Sequence, residues 1–385
     1  MTVSVYAGWN LAPRRFAECI TMNEIFPDIF VIKERGAFGA FKPEINIYVL
    51  AGSDGLIFDA GYGNRGAVRH LVREVHAIEE RFRSEGRSFS VRRILASHAH
   101  PDHFSGLRSI REDLGLRVVL TGRTAEIIAS KASFYRSYDA DDAADLLVRR
   151  GRADRVRYAL EQAFFHRFYD HLYGLSFVPD PDEIIPENSD LEINGEKWNV
   201  FPSPGHASDH ISLYNRERGV LFTGDNVLRS ITTWLGPPNS DLEAYIASLE
   251  RMLELPRLDL VLAAHGSPVY NPKKRIRDII DFRRQRTAQV CGIVAGSGGG
   301  VTADGIIQEL YAGEGRFKHE MARGWVALTL RFLESRGMVK RQEEGREIRF
   351  FPAEGCTPLA PREGTGNWSA ESKARFRAGR RMKRS

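Results

Sequence analysis

The chain has 385 residues, 42% of them apolar and 27% charged, an ordinary globular composition that excludes a wholly disordered or fibrous chain and is long enough for two domains. No run approaches the roughly 18 apolar residues that would span a bilayer, and the first twenty residues, interrupted by Arg14, Arg15 and Glu18, lack the core of a secretory signal, so the expectation is a cytoplasmic protein without a membrane segment. The net charge is +5, but residues 371–385 hold seven Lys/Arg against one Glu, which leaves the other 370 at −1; the basic character belongs to a tail, not to a nucleic-acid-binding body.

In chain order, Ile29–Ile32, Ile45–Leu50 and Leu56–Phe58 read as strands, with a hairpin turn at Gly52–Gly55 between the last two. Val68, Leu71, Val72, Val75 and Ile78 mark one face of a helix over about 65–85. Val91–Ala96 is a strand with His98 directly after it, and a helical stretch near 105–113 leads to strand Arg117–Leu120. Residues 124–175 form an insertion of different character. Val156, Leu160, Phe164, Phe168 and Leu172 recur every four residues, with Phe165, Tyr169 and Tyr173 in an adjacent row, which is an amphipathic helix with a wide aromatic face. That face reads equally as an apolar lid and as core packing. Strands return at 191–202, 211–215 and 219–223, then a helix at 241–254 and strand Leu258–Ala263. A long helix at about 273–290 leads to a glycine-rich junction, Gly296–Gly300. Helices at 302–312 and 319–336 and strands at 338–342 and 346–351 follow, a winged-helix order. The apolar residues of 319–336 circle much of that helix, which suits burial rather than a DNA groove. The expected domains are 1–290, 291–355 and a basic tail, 356–385. Cys19, Cys291 and Cys356 are odd in number and far apart, so reduced thiols are expected.

Chemistry concentrates in Ser97-His98-Ala99-His100-Pro101-Asp102-His103, three imidazoles and a carboxylate in six positions. Imidazole and carboxylate suit zinc, iron or manganese. On an extended segment His98 and His100 point to one side and can share an ion. Asp102 and His103, past the turn at Pro101, can serve a second. Asp59, His206, Asp225 and His265 each sit beside a glycine or at the end of an apolar strand, where ligands are held rigidly. His166 and His171, on the aromatic helix, read as surface or packing residues.

These residues, in this order, resemble the five-motif pattern of the metallo-β-lactamase superfamily over roughly 25–270. The Pro204–His210 and Ala264–Val269 segments, with the helices and hairpin beyond, resemble its beta-lactamase-like protein 2 branch. The chain departs from that branch in a longer span between His103 and His206 and in its basic tail. The resemblance implies an αββα sandwich, an α/β (α+β) fold with a helical insertion. It implies two divalent metal ions, Zn2+ by default with Fe or Mn open. One would take His98, His100 and His206, the other Asp102, His103 and His265, with Asp225 bridging. Two such ions lower the pKa of a shared water toward ~7, and the resulting hydroxide attacks an electrophilic carbonyl or phosphorus. Catalytic roles fall to Asp102, to Asp59, which would orient a ligand imidazole, and to His210, which would orient a neighbour or touch substrate. The expected substrate is a small carboxylic ester, thioester or lactone, such as an acyl-CoA. The alternatives are cleavage of single-stranded RNA and, last, a non-catalytic metal-bound interaction module. A homodimer is left open.

Overall fold

The apolar runs that mark the strands are buried on both faces, and alternate residues go to different cores. Ile47 and Val49 pack with helices on one side of their strand, while Tyr48 and Leu50 pack against a second sheet on the other. Phe30 and Ile32 part from Ile29 and Val31 in the same way. The computed structural model describes residues 23–36, 42–138, 160, 164, 166–345, 347–353 and 356.

The first sheet has seven strands in sequence order: β1 (Asn23–Phe26), β2 (Ile29–Glu34), β3 (Ile45–Leu50), β4 (Gly55–Phe58), β5 (Val91–Leu95), β6 (Arg117–Thr121) and β7 (Glu183–Ile185). β1 to β4 form an antiparallel meander, and β4 to β7 run parallel. The crossover helix α1 (Arg65–Ser84) buries Val68, Leu71, Val75, Ile78 and Phe82 against the outer face. Between β5 and β7 come α2 (Pro101–Phe104), α3 (Leu107–Leu114), α4 (Gly122–Ile128), α5 (Lys131–Tyr138) and a helical stretch at 166–173, α6.

The second sheet runs in the order β12-β11-β10-β9-β8, with β8 (Asp190–Ile193), β9 (Glu196–Pro202), β10 (Ile211–Asn215), β11 (Val220–Phe222) and β12 (Leu260–Leu262). β8 and β9 form a hairpin over Asn194-Gly195, both at positive φ (53° and 75°), the pairing a two-residue turn favours. The outer face is covered by α7 (Leu242–Leu253) and α8 (Pro272–Gly296). Between the sheets, Phe222 meets Tyr48, Phe58 and Trp198 at centroid distances of 4.9, 5.5 and 5.6 Å. Each such ring taken from water contributes about 1.5–3 kcal/mol. The result is the helix–sheet–sheet–helix order expected from the sequence.

Beyond α8 lie β13 (Val301–Thr302), α9 (Ala303–Leu310), α10 (Arg316–Ser335), β14 (Val339–Glu344) and β15 (Glu347–Pro352), with a sheet in the order β13-β15-β14. Val326, Leu330 and Leu333 of α10 are buried with Ile306, Ile348 and Phe350. α8 serves both cores: Ile276, Ile279 and Ile280 face the second sheet, and Val290 and Val294 face the C-terminal cluster. The glycine-rich junction is shorter than expected, because the helix continues to Gly296 and only a turn follows.

The expectation of reduced thiols is corrected. Cys291 and Cys356 are joined, with Cα atoms 5.8 Å apart, because the chain after β15 returns to α8. Cys19, the basic tail, Val156 and Phe165 lie outside the described residues. No helix among the described residues is long and apolar enough to cross a membrane.

Candidate metal centre

β4 and β5 run parallel, as do β11 and β12, so their carboxyl ends open on one edge of the sandwich. The chain leaves β4 at Asp59, β5 at Ser97-His98, β11 at Asp225 and β12 at His265. His206 arrives after β9 through Gly205, whose φ of 138° lets the backbone pass against Tyr245. The expected extended form of His98–His100 is a run of bends instead, and Pro101 then opens α2, which turns Asp102 and His103 back toward the same point.

Two groups of candidate ligand atoms result: His98, His100, His206 and Asp225 in one, and Asp102, His103 and His265 in the other, with the atoms of each group within 4.8 Å of one another. Asp225 also reaches the second group. Its Oδ2 lies 3.4 Å from His206 Nε2, and its Oδ1 lies 3.2 Å from His265 Nε2 and 3.6 Å from His103 Nε2. Asp102 Oδ2 is 3.4 Å from His265 Nε2.

Four of the five imidazoles are fixed through Nδ1, leaving Nε2 to face the cluster. His98 Nδ1 meets Ser97 Oγ at 2.9 Å, and His103 Nδ1 meets Asp59 Oδ2 at 3.0 Å. His206 Nδ1 donates to the Trp234 carbonyl at 2.8 Å, and His265 Nδ1 to the Glu44 carbonyl at 2.6 Å. His100 instead presents Nδ1, 2.8 Å from His206 Nε2. A partner at one ring nitrogen sets the tautomer and aims the other. His98 Nε2, His103 Nε2 and Asp225 Oδ1 are buried with no hydrogen-bond partner. Buried polar atoms are rarely left so, and three converging atoms of ligand type, once His103 gives up its proton, fit a cation.

Asp59 stands at positive φ (69°), and its second oxygen accepts the Ser97 N–H at 2.7 Å, so one carboxylate braces both His103 and the start of the histidine segment. His210 is buried, with Nδ1 2.8 Å from Ser203 Oγ and Nε2 accepting the Asp225 N–H at 3.2 Å. Both its nitrogens are spent on the chain, which leaves none for a substrate.

Sequence reasoning passed over several braces. Asp209 Oδ2 accepts the Ala99 N–H at 2.8 Å and the Thr124 hydroxyl at 2.9 Å. Burial pushes its carboxyl up to about 6 despite those bonds. Tyr48 OH and Asn46 Nδ2 both donate to the Ala263 carbonyl, at 2.7 and 2.9 Å, and hold the turn that carries His265. Asp209 lies inside a segment already singled out. The rest act through backbone carbonyls far away in sequence and leave no pattern.

Charge divides the two groups. Burial holds the His98 and His206 imidazoles below their ordinary range and His100 down to about 3, so all three are neutral near pH 7. Burial also opposes charge on His103, but Asp59, Asp102 and Asp225 outweigh it and hold the ring up to about 10. His265 is raised as well, burial again losing to Asp225 and Asp102. A metal bound at the second group would therefore have to displace protons that the first group does not carry. Affinity at the second group is expected to rise about tenfold per pH unit for each proton displaced, since the protonated form persists below the raised pKa. Calorimetry in buffers of different ionisation enthalpy checks this; metal uptake without proton release would contradict it.

The profile of the Metallo-beta-lactamase superfamily matches residues 43–265, more than half of the chain. The chain belongs to this superfamily. Among the proteins it resembles, the "Atrochrysone carboxyl ACP thioesterase" of Aspergillus fumigatus is 29% identical over 129 residues, 32% of this chain and 39% of that protein. The "Beta-lactamase-like protein 2 homolog" of Drosophila melanogaster is 31% identical over 127 residues, 31% of this chain and 41% of the other. The "Acyl-coenzyme A thioesterase MBLAC2" of Homo sapiens is 26% identical over 229 residues, 59% of this chain and 73% of the other. The chain thus spans about two fifths of the length of the first two. A solved beta-lactamase domain protein from Burkholderia ambifaria superposes with a TM-score of 0.66 at 21% identity, over 89% of this chain and 96% of its own, which shows a shared fold.

Proposed function

We propose that this metallo-beta-lactamase superfamily member is a metal-dependent hydrolase of an acyl thioester, with an ester or lactone as the nearest chemical variants. The observation that carries the metal reading is the set of buried, convergent Nε2 and Oδ1 atoms without partners. On this reading one divalent ion is held by His98, His100 and His206, the other by Asp102, His103 and His265, and Asp225 serves both. Bound there, such ions supply Lewis acidity and lower the pKa of water toward neutrality. Zinc is the proposed metal, because the set is imidazole-rich, with iron or manganese as substitutes.

The chain's own residues do the rest. Asp59, Trp234 and Glu44 hold the tautomers of His103, His206 and His265, and Ser97 orients His98, so that these four rings need not reorient during the reaction. His210 and Asp209 position backbone: the first at Asp225, the second at Ala99. Asp102 and Asp225 supply negative charge beside the His103 and His265 rings.

A thioester is favoured over a phosphodiester for two reasons. Two of the relatives are named as thioesterases, one of an acyl carrier protein and one of acyl-coenzyme A. The helical stretch α6 also brings aromatic surface near the site, where Lys42 over the Tyr62 ring is the accompanying cation. Tyr173 packs on Tyr62 at a centroid distance of 5.5 Å, and the hydroxyls of both, raised chiefly by burial, are raised further by the Asp102 charge. The C-terminal helix–helix–hairpin is proposed to be a winged-helix domain that serves packing rather than DNA reading.

The test is a panel of acyl-CoA thioesters, lactones and single-stranded RNA offered to the zinc-loaded protein. Thioester turnover well above the others is expected. Efficient RNA cleavage that is lost in Asp102→Ala and weakened steeply by salt would overturn the assignment in favour of a nuclease.

A further inference from the structure

His206 differs from the other candidate ligands in what holds it. His98, His103 and His265 lean on residues of the first sheet or the loops at its edge: Ser97, Asp59 and Glu44. His206 leans on a long loop, residues 228–240, which contains no helix or strand. Its Nδ1 meets the Trp234 carbonyl at 2.8 Å and the Thr233 hydroxyl at 3.1 Å, and its own carbonyl accepts from Ser240 Oγ at 2.6 Å.

That loop is gripped by α8 on one side and α10 on the other. Arg283 of α8 donates from Nη2 to the Thr233 carbonyl. Arg275, two turns earlier, donates to the Leu228 and Ile231 carbonyls at 2.7 and 2.6 Å. On the other side Gly324 of α10 presses on the loop: a Cβ there would lie 3.1 Å from Gly236 Cα and from the Leu235 carbonyl. Leu235 and Leu328 of α10 share one buried cluster.

Arg283 is the costly member of this grip. It is 6% exposed, and its Nε has no hydrogen-bond partner. Among the described residues no carboxylate pairs with it; a buried cation so placed is expensive, and an apolar side chain of the same volume would pack there at less cost. What the guanidinium supplies and a methionine would not is the donor to Thr233.

We propose that Arg283 is a positioning residue for His206, through which α8, the helix shared with the C-terminal cluster, governs the first metal group. Arg283 fixes the Thr233 carbonyl, this fixes the Thr233 hydroxyl and the next carbonyl, Trp234, and these two hold the Nδ1–H tautomer that turns His206 Nε2 to the cluster. Gly324 is left without a side chain so that α10 can close on the same loop. Arg283 is not among the candidate ligands and acts only through the loop. The inference rests on the metal reading above.

The test uses the full chain and reads zinc affinity by chelator competition, the absorption spectrum of the cobalt-substituted protein, and thermal unfolding. Arg283→Met is expected to weaken one of the two ions by about 10- to 100-fold, the range for residues that orient a ligand. The other ion should keep its affinity, and the cobalt spectrum should change. Arg283→Lys, which restores a donor, should recover part of the loss. If Arg283→Met does not fold, Gly324→Ala disturbs the loop from the opposite side and should produce the same one-ion loss. Variants that unfold earlier yet bind both ions with wild-type affinity and spectrum would overturn the inference and make the contacts purely structural. Wild-type protein that binds no metal would overturn the proposed function itself and the inference with it.

Discussion

Asp225→Ala is expected to lose both metal ions and more than about a hundredfold in turnover, the largest effect of any single change in this chain. The reason is geometric. One carboxylate reaches His206 with Oδ2 and His265 and His103 with Oδ1, so it stands between the two groups. Two cations held side by side repel, and the charge between them is what makes the pair tolerable. Removing it leaves neither group intact: the first loses its only carboxylate, and the second keeps Asp102 alone. Asp225→Asn keeps the shape but not the charge and should fall between wild type and Ala. Elemental analysis of the purified variant checks the point, and two full equivalents in Asp225→Ala would refute a bridging role.

The second large effect concerns acyl length. The aromatic helix of the insertion divides into two faces. Tyr169 and Tyr173 stack at 5.5 Å and pack with Tyr62 and Ile45, while Lys42 donates to the Leu172 carbonyl at 3.0 Å and ties the helix end to the site's edge. Phe164 and Phe168 face outward, 71% and 46% exposed, as does Leu160. On the proposed reading, an exposed apolar row on the same helix as Tyr169 and Tyr173 is surface that a long acyl chain can cover. Phe168→Ala is therefore expected to raise KM for long acyl thioesters about tenfold, to leave short ones nearly unchanged and to leave Tm alone. Tyr169→Ala should instead lower Tm. A loss of Tm in Phe168→Ala with no dependence on chain length would assign the whole face to packing.

Much of the site is legible in the sequence because its residues bunch. His98, His100, Asp102 and His103 lie within six positions. Asp59, Asp225 and His265 each close a strand marked by an apolar run, and the parallel pairs β4–β5 and β11–β12 carry those ends to one edge. The braces are illegible for the opposite reason. Trp234 and Glu44 offer only backbone carbonyls, and any residue type offers those. Among the strands, β7 escaped because Ile184 is 54% exposed on a three-residue element with no alternation to read. β13 is two residues long and exists only because β15 pairs with it. The Cys291–Cys356 link escaped because sequence separation, 65 residues, carries no information about whether a chain returns to its own helix.

If thioester hydrolysis here depends on two ions that these seven side chains would hold, metal content and turnover must fall and return together. Freshly purified protein should carry two equivalents of divalent metal per chain. Exhaustive chelation should remove the metal and the hydrolysis of a long-chain acyl-CoA together, and zinc should restore both. Undiminished hydrolysis by protein shown to be metal-free would contradict the account.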